Sequence, residues 1–320
     1  MPGILTYDPA HPKTDLNVQH LRDRAAHQAM SGIAVLYLPT LLLFVFIMRN
    51  RSNEKEVSMT GHMDSTQANA LPHTVPISGI SVAEQDARRD LSALYHMIDL
   101  LVGWQEGIYT HISMRLPDQP EMMLIKRHEL LFSEVTPANL VKVPIGADVD
   151  ESYGVNRPGV VTHSAALLAR DNINCSVHIH TEEGLALSAH PIGLRMLCQN
   201  ALRFWNRIGY HDYEGLVSHH DEGKRISANL GEQNIVLVLR NHGLLIVGNT
   251  PRDCFERTRD LLLATRMQLT LEATGAELKE IDPSICDLVV EQWAAHDSGR
   301  GKADWPAWKR MLEKRRPEAL

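Results

Sequence analysis

The sequence predicts a fold of the α/β class, with helices covering a central sheet. Two observations carry that prediction. Helical and strand-like segments are interspersed along the chain instead of falling into separate halves. Two strongly apolar runs, "NIVLVLR" and "LLIVGN", are joined by the short connection "NHG" and followed by a long amphipathic stretch. With 320 residues, 44% of them hydrophobic, the chain suits one sizeable domain with extensions, or two small ones.

Residues 1–58 read as an N-terminal extension. Within it, Gly32 to Met48 is an apolar run, at the short end for a membrane span, interrupted by Pro39 and followed by Arg49 and Arg51. Three readings stay open: a membrane anchor, translation upstream of a true start at Met59 or Met63, or a hydrophobic helix buried on the body. Basic residues on both sides leave its orientation unset. Residues 59–79 are poor in apolar side chains and read as a linker; 80–296 form the folded domain and 297–320 a helical tail.

The domain opens on "SVAEQDARRDLSALYHMIDLLVGW". Ser81 and Glu84 have the spacing of a capping box, and Leu91, Leu94, Ile98 and Leu101 recur at helical intervals. "EMMLIK" reads as a strand, "THSAALLARDN" as a helix, "CSVHIH" as a strand and "TEEGLALSAH" as a helix. In the "NHG" turn, Gly243 is free to take a positive φ. Thr250 and Pro251 cap and open the last long helix of the domain. In the tail, Trp305 and Trp308 offer aromatic surface to a neighbour or to the chain itself.

The net charge of −7, with no long basic run before the final residues, argues against nucleic acid as a partner. Four widely spaced cysteines without a C-x-x-C pair read as reduced thiols in a reducing, cytoplasmic compartment. The chemistry-bearing pattern is histidine. His178 and His180 are two apart on a strand, so they project from one face. Imidazole is the commonest metal ligand, and two on one strand face make half of a coordination shell. His242, at the turn between two strands, can reach over the sheet edge as the third ligand.

These motifs also carry a resemblance. "HSAALLARDNINCSVHIHTEEGLALSA", "YHDYEGL" and "NIVLVLRNHGLLIVGNTPRDCFE", preceded by "GIYTHISMRLP" and "LLFSEVTPANLVKV", resemble the class II aldolase/adducin family, in its bacterial adducin-head-like branch. The likeness spans roughly residues 85–275. It implies an α/β/α domain with a central, mostly antiparallel sheet, and a divalent metal held by His178, His180 and His242. It also implies a homotetramer. The departures limit what carries over. The catalytic glutamate of the sugar-phosphate aldolases falls on Gly159, which has no side chain to move a proton. Their phosphate-binding segments fall on "GIYTHIS" and on "KRHE", which lacks the glycine that lets amides close on an oxyanion.

His163, four residues after Gly159, is the candidate to supply the missing acid/base; Tyr210 and His211 are further candidates for general acid. His111, Lys126 and Arg127 are candidates for substrate contact. Three functions are consistent with the resemblance: a lyase-like enzyme using zinc or a similar Lewis acid on a small carbonyl compound that is not a sugar phosphate; an oxygenase with non-haem iron(II) held by the same histidines; and a non-catalytic oligomeric head of the kind adducins use in the actin cytoskeleton.

Overall fold

In a computed structural model, residues 79–103, 107–215, 220–298 and 303–320 are described. The apolar segment 32–48, the alternative starts and nearly all of the linker lie outside them. The described residues belong to a unit comprising Ala70–Leu320, distinct from Met1–Asn69. Among the described residues, no helix is long and apolar enough to cross a membrane.

Seven strands form one sheet: β1 (His111–Arg115), β2 (Met122–Ile125), β3 (Val141–Pro144), β4 (Cys175–Ile179), β5 (Ile208–His211), β6 (Val236–Leu239) and β7 (Gly243–Gly248). Their spatial order is β3-β2-β1-β4-β7-β6-β5. Every pairing is antiparallel except β5 with β6, so the expected mostly antiparallel sheet is observed. The helices are α1 (Val82–Val102), α2 (Arg157–Ala169), α3 (Glu182–Ala189), α4 (His220–Leu230), α5 (Pro251–Glu272), α6 (Pro283–Ser298) and α7 (Asp304–Arg315).

Strand alternation sorts the core into two layers. Ile112, Cys175, Val177, Ile179, Leu244 and Ile246 face α1, α3, α5 and α7. Met123, Ile125, Leu237, Leu245 and Val247 face α2 and α4. Helices on both faces of one sheet give the α/β/α arrangement.

α1 begins as expected, with the Ser81 side chain accepting from the Glu84 amide at 3.0 Å. The reciprocal half of the capping box is absent. Glu84 is 1% exposed and its carboxylate is engaged by Arg88 and Lys142, both at 2.8 Å. Two cations across a buried contact outcompete one backbone amide. Further along α1, the Tyr95 hydroxyl donates to the Ile112 carbonyl and accepts from the amides of Ile112 and Lys126. This clamp holds the start of β1, the residue after His111.

The tail returns to the body. Trp308 Nε1 donates to Glu256 at 2.7 Å, Lys309 pairs with Asp90 at 3.0 Å, Arg316 pairs with Asp99 at 2.6 Å, and Leu312 is fully buried. The two tail tryptophans, both partly buried, pack against the body of the chain.

Candidate metal centre

β4 carries His178 on the face turned toward α2 and α4, and His180 follows just past the strand end. The β6–β7 connection brings His242 to them. It is closed by the His242 amide on the Leu239 carbonyl at 3.0 Å. Asn241, at φ 56°, is the residue that takes the left-handed conformation. Gly243 follows at φ 154°, where an added Cβ would lie 2.6 Å from the Ile179 carbonyl oxygen and 2.7 Å from the His180 ring. Glycine there lets β7 start hard against the end of the ligand strand.

One ring nitrogen from each of His178, His180 and His242 lies within 4.8 Å of the others. The Nδ1 of His178 is 3.0 Å from the Leu244 carbonyl, an atom that can only accept, so Nδ1 carries the proton and Nε2 keeps its lone pair. That Nε2 lies 2.9 Å from the Nε2 of His180. A carbonyl behind a ligating imidazole is the usual device for fixing its tautomer. The donors are also neutral. Burial pushes His178 well below the ordinary histidine range and His180 down to about 4, with His242 beside it adding to the effect. His242 is lowered by burial and by nearby His211. Three neutral imidazoles converging on one point fit a divalent metal.

Three further histidines, His111, His163 and His211, lie on the same face of the sheet. His111 is the register partner of His178 across β1 and β4, and the two rings stack at 5.1 Å with 30° between planes. His163, on α2, is fully buried; its Nε2 lies 2.8 Å from His111 Nδ1 and its Nδ1 2.5 Å from Ser176 Oγ. Burial brings His163 down to about 3. His211 ends β5 on the same face, with Nδ1 on Asn229 at 2.9 Å and Nε2 3.7 Å from Glu222 and 3.9 Å from Glu214.

Three expected site residues are held by contacts of their own, and one of them, Tyr210, lies on the other face of the sheet. Tyr210 precedes His211 on β5, so it projects to the opposite face of the sheet. It packs against the α1/α5 core there, with Arg240 4.4 Å over its ring. Lys126 is 2% exposed, with Nζ donating to the carbonyls of Ile108, Arg127 and His128 at 2.7, 3.3 and 3.3 Å. Burial lowers its ammonium to about 8. Arg127 pairs with Glu129 at 2.5 Å and lies against Gly154. Four polar groups near the histidines were not foreseen: Ser113, Ser176, Asn229 and Glu222. Ser176 was open to reading, since it shares the strand face of His178 two residues on.

The depressed histidines make stability depend on pH. Their folded pKa values lie below the unfolded value near 6.5, so the unfolded chain takes up protons first as pH falls. Metal-free protein is therefore expected to keep full stability above about pH 7 and to lose it progressively from about pH 6.5 down to the folded values of His180, about 4, and His163, about 3. Thermal melts across that range check this; a flat profile contradicts it.

With this geometry in place, comparison with known proteins is direct. The profile described as Class II Aldolase and Adducin N-terminal domain matches residues 89–269. The chain belongs to the class II aldolase and adducin family. It is 36% identical over 252 residues to a Caulobacter vibrioides protein named, provisionally, as an aldolase class 2 protein, covering 78% of this chain and 97% of that one. It is also 36% identical over 233 residues to alpha-adducin of Rattus norvegicus, covering 71% of this chain and 31% of the adducin. Among solved structures, an aldolase II superfamily protein from Pseudomonas syringae superposes with a TM-score of 0.69 at 35% identity, over 75% of this chain and 97% of that one.

Proposed function

We propose that the protein is a zinc-dependent, lyase-like enzyme acting on a small carbonyl-bearing molecule without a phosphate group. The observation that carries the reading is the convergence of three neutral imidazoles, with the Leu244 carbonyl leaving His178 Nε2 free to ligate. A divalent metal held there supplies a Lewis acid for a carbonyl oxygen and for the negative charge that develops on it. His178, His180 and His242 hold that ion, and the Leu244 carbonyl orients the first of them. The buried wall of His111 and His163 excludes water from one side of the site. Engagement of Lys126 and Arg127 by carbonyls and by Glu129 supports a substrate without phosphate. We place the enzyme in the cytoplasm, where four free thiols persist, as a homotetramer; segment 32–48 is its candidate membrane contact.

The second reading is a non-catalytic binding module, favoured by the 36% identity to alpha-adducin. Exchange of the α-protons of hydroxyacetone and related small carbonyl compounds in heavy water, followed by proton NMR, separates the two. The enzyme reading expects exchange above the buffer rate with zinc-loaded protein and none after chelation. Buffer-rate exchange with a zinc-loaded protein contradicts it and favours the binding module.

A further inference from the structure

Four polar side chains beside the candidate metal centre are buried together. Ser113, Ser176 and His163 are fully buried and His111 is 4% exposed. Burying such groups is costly unless each finds a hydrogen bond. Here they satisfy one another as a chain: Ser113 Oγ to Ser176 Oγ at 2.9 Å, Ser176 Oγ to His163 Nδ1 at 2.5 Å, and His163 Nε2 to His111 Nδ1 at 2.8 Å. Leu245 and Val247, the β7 partners of His178 and Ser176 on the same face, are apolar. The polar chain is therefore a local departure from an otherwise apolar layer.

Its far end, His111 Nε2, lies against Gly159. His111 Nε2 makes no hydrogen bond among the described residues, although the side chain is almost entirely buried and its ring stacks on His178. Gly159 makes this placement possible. A Cβ built on Gly159 would lie 2.6 Å from His111 Cδ2 and 2.8 Å from Cε1, with Nε2 closer still. The imidazole from β1 thus fills the volume that a side chain on α2 would claim.

We propose that His111 is the side chain that meets a ligand held on the metal, that residue 159 is glycine in order to admit it, and that His163 and Ser176 are positioning residues for its Nε2. The proposal rests on the metal reading above and adds to it the residue that contacts the ligand. The ligand class is a small oxygenated molecule with a carbonyl or hydroxyl next to the oxygen the metal holds. The hydrogen-bond chain runs coherently in either direction. When Ser176 donates to His163 Nδ1, His163 donates to His111 and His111 Nε2 carries a proton to offer. When the chain reverses, His111 Nε2 offers a lone pair. Each serine can donate or accept and each neutral ring carries one proton, so the reversal needs no change of net charge.

The test uses the full-length, zinc-loaded protein and acetohydroxamate, a small chelating oxygen ligand, with binding read by calorimetry and zinc content measured alongside. His111→Ala is expected to bind zinc normally and acetohydroxamate about tenfold more weakly, the effect of one hydrogen bond. Gly159→Ala is expected to weaken it equally by displacing the ring. The double variant, in which the collision is removed and folding is secure, is expected to be no weaker than His111→Ala alone. His163→Phe tests positioning: long-range proton–nitrogen NMR of the metal-free protein should show the His111 tautomer population shifted. Acetohydroxamate binding unchanged in zinc-loaded His111→Ala overturns the proposal and leaves the metal reading standing. Additive losses in the double variant overturn the role given to Gly159. An unshifted tautomer in His163→Phe overturns the positioning role. Wild-type protein that takes up no zinc overturns both the proposal and the metal reading.

Discussion

Alanine at both His178 and His180 is expected to abolish the proposed zinc binding and the thermal stabilisation that would come with it, while the sheet still forms. The two rings leave the end of β4 on one face and supply two of the three converging donors. His242 alone, on a turn, cannot hold the ion. Zinc bound by a full set of protein ligands is worth about 10–16 kcal/mol, so losing two donors costs several kcal/mol and on the order of a thousandfold or more in affinity. Zinc that binds only the folded state would raise the melting temperature of the wild type with the logarithm of its free concentration relative to Kd. The double variant should show no such rise. A zinc-dependent shift of wild-type size in the variant would place the ion elsewhere.

A comparably large effect on stability is expected far from the histidines, at Asp260. Its carboxylate pairs with Arg203 at 2.8 Å, with side-chain exposures of 2% and 3%, and accepts from Asn200 at 2.8 Å. Arg203 also lies 4.0 Å over the ring of Trp293. The pair therefore joins α5 to the turn at 201–204 and to α6. Asp260→Ala removes the carboxylate that faces this buried guanidinium. Breaking a buried ion pair from one side costs about 3–5 kcal/mol, chiefly through the charge left behind. Urea unfolding monitored by circular dichroism measures it, and Asp260→Asn, which keeps an acceptor, should cost less. A loss under about 1 kcal/mol for the alanine variant would show that solvent reaches the pair.

Much of the candidate site was legible because it depends on short-range rules. The period of two in a strand placed His178 and His180 on one face, and the "NHG" turn between apolar strands delivered His242 to the same end of the sheet. The same rule, followed one residue further, separates Tyr210 from His211, and carried back two residues it includes Ser176. What the sequence hid is tertiary. His111 and His163 are 52 positions apart and meet only because β1 pairs with β4 beneath α2. Lys126 looked like an open cation, but three backbone carbonyls surround its ammonium. Glu84 had the spacing of a capping residue, yet Arg88 and Lys142 offered it a stronger pairing. Residue type and spacing predict partners within a turn or along a strand; they do not reveal which carbonyls or cations the fold brings in from elsewhere.

The most direct test of the central claim is metal content by mass spectrometry, on protein purified without added metal and without oxygen, beside the His178→Ala/His180→Ala variant. About one divalent ion per chain in the wild type, zinc foremost, and none in the variant is the result expected of three converging neutral imidazoles. A folded wild-type protein that carries no metal, or a variant that keeps its metal, would contradict it.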